Sequence, residues 1–315
     1  MVIVERRKRK GPVLTPSSLP CLGKMPTINI TEGCSHDCVY CYTQGYSGYP
    51  GAGRVTLLEN IPELTEGEIG RKRRKPRRVY FSPSSDAFQP VPEVLDVTYR
   101  TMAILLEHGV EVAFLTKGGV PEQFLQLFAD TRAGVFAQIG ITTLDEDIRR
   151  VTEPNAASIM QRLEDISGLV HSGAFVRARL DPLIPGLTDT VENLEPLLAE
   201  LQRRGIRSIA ASYLFLRPGF GQRLSHVPGL ANSTEWTWHR FADGVGGGKM
   251  IDADYRRERF ARLAFLAAKH GIDVHTCACK NPDLAESKNC RIAGPPAEPS
   301  AHPKGPLFGC LEQAE

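Results

Sequence analysis

The sequence has no apolar run long enough to cross a bilayer, so a helical membrane protein is excluded. Its first residues, "MVIVERRKRK", carry charge without the apolar stretch and small-residue cleavage site of an export signal, and a cytoplasmic location is expected. No segment repeats at a solenoid period. Aromatic residues are few, at 7% with two tryptophans. Net charge is also small at +2, but it is uneven: "RKRRKPRR" (71–78) holds seven basic residues in eight, and "RRKRK" lies near the start. Such runs either attract phosphates or serve as a solvated loop and arm.

What is present is 315 residues, 42% of them hydrophobic, enough for one large soluble domain or two unequal ones. Eight cysteines in a chain of this size and expected location point to metal binding or catalysis rather than to a disulfide framework.

After a Pro-rich N-terminal arm (1–26), apolar or β-branched runs alternate with amphipathic segments, as in successive βα units around a parallel sheet. The predicted strands are "TINI", "RVYFS", "VEVAFLT", "VFAQIGIT", "FVRARLDPLI" and "IRSIAASYLF". The segments 92–109, 156–173 and 191–205 have helical spacing and end in glycine, the residue that closes a helix in the left-handed region. Six such units predict an α/β fold, a partial (β/α)6 barrel over 27–225, with chemistry at the carboxyl ends of the strands. A Gly-rich, aromatic-containing stretch (226–250) reads as a loop or lid. A last helix and a cysteine-rich extension follow (251–315).

"GCSHDCVYCY" follows the first predicted barrel strand and carries Cys34, Cys38 and Cys41. Three thiolates on one short loop can converge on zinc or on an iron–sulfur cluster. Zinc would want a fourth ligand, and His36 would have to fold back on its own loop to supply it. A three-cysteine cluster instead leaves one iron open for another ligand. A thioredoxin-like pair, Cys38 and Cys41, lacks the strand-then-helix setting that activates such a thiol.

"GCSHDCVYCY" resembles the CxxxCxxC signature of radical S-adenosylmethionine (radical SAM) enzymes, including the aromatic Tyr40 before the third cysteine. The resemblance implies a four-iron four-sulfur cluster held by Cys34, Cys38 and Cys41, with S-adenosylmethionine at the open iron. It implies a radical SAM partial barrel and, as partner, a reducing electron donor such as flavodoxin or ferredoxin. From about residue 25 to 220 the chain is most similar to the spore photoproduct lyase group, through "SPSSDAF", "FLTKGG", "ITTLDEDIRRVTEPNAAS" and "RARLDPLIPG". By that similarity Ser84, Ser85 and Asp86 bind the methionine part of the cofactor, Lys117 meets its carboxylate, and Tyr40 belongs to the same site. Read without the family, "SPSSD" is a turn and Lys117 an exposed strand end.

The similarity breaks at two places. Where the lyases carry a hydrogen-donating cysteine, this chain has Pro83, and where they carry a tyrosine pair it reads Arg54, Val55 and Thr56. Repair by the lyases' relay is therefore not expected.

Near the C-terminus, Cys277, Cys279, Cys290 and Cys310 lie in a Pro/Gly-rich tail that cannot build its own core, which suggests a metal. An auxiliary iron–sulfur cluster is expected there, with four-thiolate zinc as the alternative. Cys21, in the N-terminal arm, reads as a free thiol, or less readily as a further ligand. The expected activity is cleavage of S-adenosylmethionine and hydrogen abstraction from an organic, nucleoside-like or phosphorylated small molecule, the auxiliary cluster aiding oxidation or sulfur insertion. A DNA-lesion lyase and a non-enzymatic metal-dependent nucleic-acid binder are the alternatives.

Overall fold

The computed structural model describes residues 2–17, 21–216, 224, 238–240, 249–281 and 283–284. Most of the expected lid (226–250), Cys290 and Cys310 lie outside these residues.

The N-terminal segment, read as an arm, contributes two strands, β1 (Ile3–Arg7) and β2 (Thr15–Pro16). There follow β3 (Pro26–Ile28), β4 (Thr31–Glu32), β5 (Arg54–Leu58), α1 (Ile61–Arg71) and β6 (Arg78–Phe81). The βα alternation continues with α2 (Pro92–Glu107), β7 (Glu111–Thr116), α3 (Glu122–Asp130), β8 (Val135–Gly140), α4 (Glu146–Thr152) and α5 (Ile159–His171). It closes with β9 (Phe175–Leu183), α6 (Val191–Arg203), β10 (Ser208–Tyr213) and β11 (Phe215–Leu216). Within the expected lid region lies β12 (Trp238–Arg240), and β13 (Lys249–Ile251) begins at its end, followed by α7 (Ala253–Ala268) and β14 (Asp273–Thr276).

Among the described residues, the main sheet runs β14-β10-β9-β8-β7-β6-β3-β2, parallel except for the antiparallel edge strand β2. This is the expected partial barrel, extended by one parallel strand, β14, in the segment read as tail. Small three-stranded sheets, β1-β5-β4 and β11-β13-β12, flank it. The three glycines expected to close helices, Gly109, Gly173 and Gly205, all have positive φ, 71°, 80° and 86°.

Alternation along each strand separates two apolar environments. Val79, Phe81, Val112, Phe114, Ala137 and Ile139 face the helices and belong to the main core. Tyr80, Ala113, Leu115, Phe136 and Ala210 face the lumen instead, in a separate cluster. Alanine at 113 and 210 leaves space in that lumen, which is why the barrel can hold a cavity rather than a packed interior.

The basic run 71–78 lies at the amino ends of the strands, away from the barrel mouth. It spans the end of α1 and the start of β6, and Arg78 is buried, with its guanidinium 2.6 Å from Glu111 and 3.4 Å over the Phe136 ring. Among the described residues, no helix is long and apolar enough to cross a membrane.

Candidate functional site

At the carboxyl ends of the strands a cavity of about 230 Å3 opens into the lumen, and Cys34, Cys38 and Cys41 line it. The motif loop that carries them leaves β4 through Gly33, where a Cβ would lie 2.6 Å from Pro50 Cγ and 2.9 Å from the Arg54 carbonyl oxygen. Glycine is the residue that fits there.

Hydrogen bonds from distant segments then fix the loop. The Ser35 amide donates to Gln89 Oε1 at 2.6 Å, and Gln89 in turn donates to Thr31 Oγ1 at 2.8 Å. The Val39 amide donates to the Thr152 carbonyl at 3.0 Å. His36, read from sequence as a loop residue, is buried, with Nε2 3.2 Å from Asp86 Oδ2 and Nδ1 3.3 Å from the Asn155 carbonyl.

Tyr40 donates its hydroxyl to Glu153, whose carboxylate lies 2.5 Å from Arg162 and 4.0 Å from Lys117 Nζ. Burial alone would raise the Glu153 carboxyl, but Arg162 and Lys117 outweigh it and hold the group below the usual carboxylate range. Burial and the nearby Glu153 charge push the Tyr40 phenol up, so it stays a donor. Arg162 also donates to the Gly140 carbonyl at 2.8 Å and the Ala157 carbonyl at 3.0 Å, which ties the loop between α4 and α5 to the sheet.

The second strand end supplies the polar wall. Asp86 accepts from Thr116 Oγ1 (2.8 Å), the Lys117 amide (2.9 Å) and the Phe88 amide (2.8 Å), in addition to facing His36. Burial would raise its carboxyl, and His36 with these amides holds it down. Asp86 thus joins three segments of the rim, a brace more than a free ligand. Ser84 donates to Asn29 Oδ1 at 2.9 Å. Ser82 and Ser85 also line the cavity, and their buried hydroxyls have no protein partner. Lys117 Nζ donates to the Asp181 carbonyl at 3.0 Å and lies 5.6 Å from the centre of the Tyr40 ring. A Cβ on Gly140 would sit 2.7 Å from Lys117 Cγ, so the bare backbone of β8 makes room for that side chain.

The opposite wall comes from β9 and the segment after β14. Lys280 donates to both Asp181 oxygens at 2.9 and 3.0 Å, and Arg179 donates to Oδ2 at 2.8 Å. Burial opposes ionisation of Asp181, but Lys280 and Arg179 hold its carboxyl well below the ordinary range. Arg256 on α7 donates to Asn281 Oδ1 at 2.7 Å and pairs with Asp283, docking the "CKNPD" segment on the barrel. Cys277, Cys279 and Cys21 line the same cavity as the motif cysteines.

The donor set suits the cofactors that the motif implies. None of the six described cysteines is in a disulfide and all six line one cavity, with two unpartnered hydroxyls and Lys117 beside them. Burial pushes the Cys34 and Cys38 thiols up, so ligation of a metal would displace their protons. Among the described residues, no three His, Cys, Asp or Glu side chains are gathered as a preformed metal site, at the motif or elsewhere.

The Radical SAM superfamily model matches residues 28–201, more than half of the chain. The chain belongs to the radical SAM superfamily. This radical SAM protein is 24% identical over 249 residues to a radical SAM Nα-GlyT isomerase of Pseudomonas phage M6, a match covering 78% of the chain and 51% of the relative. It is 24% identical over 255 residues to an uncharacterized protein of Mycobacterium tuberculosis, covering 78% and 74%. The chain therefore spans about half the length of the phage relative and about three quarters of the mycobacterial one. A spore photoproduct lyase mutant with bound AdoMet and dinucleoside spore photoproduct shares the fold, with a TM-score of 0.66, 17% identity and coverage of 86% of this chain and 81% of that one.

Within the radical SAM barrel, Tyr40, Ser84, Ser85, Asp86 and Lys117 line the same cavity as the three motif cysteines. Pro83 lines the cavity, and Tyr42 donates to its carbonyl at 2.9 Å. The Arg54–Thr56 segment lies in β5, between β1 and β4, with Val55 and Thr56 buried. Sequence reasoning missed Glu153, Arg162, Asp181 and Lys280. Glu153 and Asp181 stand in stretches that resembled the family, but a buried ion pair such as Glu153–Arg162, nine residues apart, has no spacing signature.

Proposed function

We propose that this radical SAM enzyme reductively cleaves S-adenosylmethionine and abstracts hydrogen from an organic small molecule, nucleoside-like or phosphorylated, aided by an auxiliary iron–sulfur cluster. Three cysteines, two unpartnered serine hydroxyls and Lys117 converge on one cavity at the carboxyl ends of the strands, and that convergence carries the reading.

Cys34, Cys38 and Cys41 would hold a four-iron four-sulfur cluster. When bound, cluster and cofactor supply a one-electron cleavage and a hydrogen-abstracting radical, the electron coming from a flavodoxin- or ferredoxin-type donor. The chain's own residues then position and shield. Lys117 offers a cation to a carboxylate, the Ser82 and Ser85 hydroxyls offer donors, and Tyr40 keeps the motif loop against Glu153. The apolar lumen around Leu115, Tyr80 and Phe136 excludes water from the reacting atoms.

A second reading, a DNA-lesion lyase, draws on the shared fold alone. Against it, Pro83 cannot return a hydrogen atom, and the segment that carries tyrosines in the lyases is here a flanking strand. The exposed part of the basic run faces away from the cavity, which leaves nucleic acid as a partner without a contact at the site.

The test is anaerobic reconstitution with iron and sulfide, followed by reductant and S-adenosylmethionine, reading 5′-deoxyadenosine with nucleosides, nucleotides and DNA as candidate substrates. Release that depends on all three motif cysteines supports the proposal. A fully loaded first cluster with no cleavage under any of these additions would overturn it, and salt-sensitive DNA binding without cleavage would favour a metal-dependent nucleic-acid binder.

A further inference from the structure

An open barrel has two free edges, and here each edge carries cysteine. Cys21 lies in the turn between β2 and β3, at one edge of the main sheet. Cys277 and Cys279 follow β14, the strand at the other edge. The two edges are the opposite ends of an eight-stranded sheet, yet the curl of the barrel brings their cysteines together. Cys21, Cys277 and Cys279 share the lumen cluster with Leu22, Tyr80 and Ala113. The Cys279 thiol reaches hydrogen-bonding range of both other thiols, and a backbone hydrogen bond joins it to Cys21.

Ordinary packing accounts poorly for this arrangement. Three thiols from separate edges meet where leucine or valine would seal the seam better, and Cys279 stays half-exposed toward the cavity that the motif cysteines line. The Cys277 backbone is fixed independently: its amide donates to the Ala211 carbonyl at 3.0 Å, and its carbonyl accepts from Asn281 Nδ2 at 2.8 Å. Lys280 and Arg256 anchor the following residues. The segment is thus held in register on the barrel before any ligand arrives.

We propose that Cys21, Cys277 and Cys279 together ligate a second iron–sulfur cluster that staples the two edges of the barrel. This deepens the auxiliary-cluster reading above and rests on it, while moving Cys21 from free thiol to ligand. Soft thiolates suit iron–sulfur clusters and zinc alike, and counting both metals separates the two. Each thiol gives up its proton to solvent on ligation, so the step involves no change in oxidation state.

The experiment compares the reconstituted full chain with Cys21→Ser, Cys277→Ala and the triple variant Cys34→Ala/Cys38→Ala/Cys41→Ala, counting iron, sulfide and zinc and recording EPR spectra of the reduced proteins. About eight irons in wild type, falling to about four in Cys21→Ser, in Cys277→Ala and in the triple variant, is the expected result. In Cys21→Ser the remaining signal should still change on adding S-adenosylmethionine. If wild type holds about eight and Cys21→Ser also keeps about eight, Cys21 is not a ligand, although the auxiliary cluster stands. About four irons in wild type, with or without one zinc, overturns the auxiliary cluster itself. Should Cys21→Ser fail to fold, alkylation of the wild-type protein decides: Cys21, Cys277 and Cys279 should be protected together and become reactive together on chelation, and an alkylated Cys21 in the loaded protein overturns the proposal.

Discussion

Two sets of three cysteines line one cavity, one on a single braced loop and the other drawn from both edges of the main sheet. The motif loop is braced by a buried network of Gln89, His36, Asp86, Glu153 and Arg162, none of which needs a metal to keep its partner. Cys21, Cys277 and Cys279 sit where two sheet edges meet, packed in one cluster with Leu22 and Tyr80, and the Cys279 thiol lies within hydrogen-bonding range of the other two. At the first set the fold positions the ligands. At the second, the fold fixes Cys277 and Cys279, and a shared cluster would tie Cys21 to them across the seam.

The comparison breaks most visibly at the motif itself. Cys38→Ala should lower 5′-deoxyadenosine formation by on the order of a thousandfold or more while leaving the melting temperature of the metal-free protein within a few degrees of wild type. A large loss of stability would show that the braces do not hold the loop alone.

The brace should fail next, and without any metal present. Arg162→Met leaves the buried Glu153 carboxylate with only the Tyr40 hydroxyl and Lys117 at 4.0 Å, which costs roughly 3 kcal/mol in urea unfolding of the metal-free protein. Glu153→Gln/Arg162→Met should recover part of that loss, since neither charge then remains buried.

The brace side also carries a pH dependence. Asp165 on α5 accepts from the Val120 amide at 3.0 Å and from Gln161 at 2.9 Å, and burial pushes its carboxyl up to about 6. The folded state holds this proton more tightly than the unfolded chain does. The group's contribution is therefore complete below about pH 4 and is lost as pH rises through 6, a loss of about 2–3 kcal/mol. Asp165→Asn should flatten that part of the stability profile measured by denaturant titration.

Gly140→Ala should act only through Lys117, because the added methyl meets that side chain and little else. A weakening of S-adenosylmethionine binding by about tenfold, read by calorimetry on the reconstituted protein, is expected, equivalent to about 1.4 kcal/mol. Lys280→Met should have the smallest effect, on the order of 1 kcal/mol, because Arg179 still pairs with Asp181. A loss as large as that of Arg162→Met would show that this ion pair, more than the Cys277 and Asn281 hydrogen bonds, holds the segment after β14 on the barrel.

The barrel was legible because its signals are local. Apolar runs at strand spacing, glycines at helix ends and a three-then-two cysteine spacing all lie within short windows. The edge strand β14 was missed because "DVHT" has a single aliphatic residue and reads as tail. The N-terminal strands were missed for a related reason: β1 is mostly exposed charge and exists by pairing with β5, far along the chain.

Local order in the chain thus determined the element types, the order of βα units and the three cysteines that one loop can bring together, since each depends on neighbours a few residues apart. Only the tertiary structure decided that Tyr40 meets Glu153 across 113 residues, that Lys280 meets Asp181 across 99, and that Cys21 meets Cys279 from the far edge of the sheet. Such pairs follow from the curl of the barrel, a property of the packed whole that no window of the sequence contains.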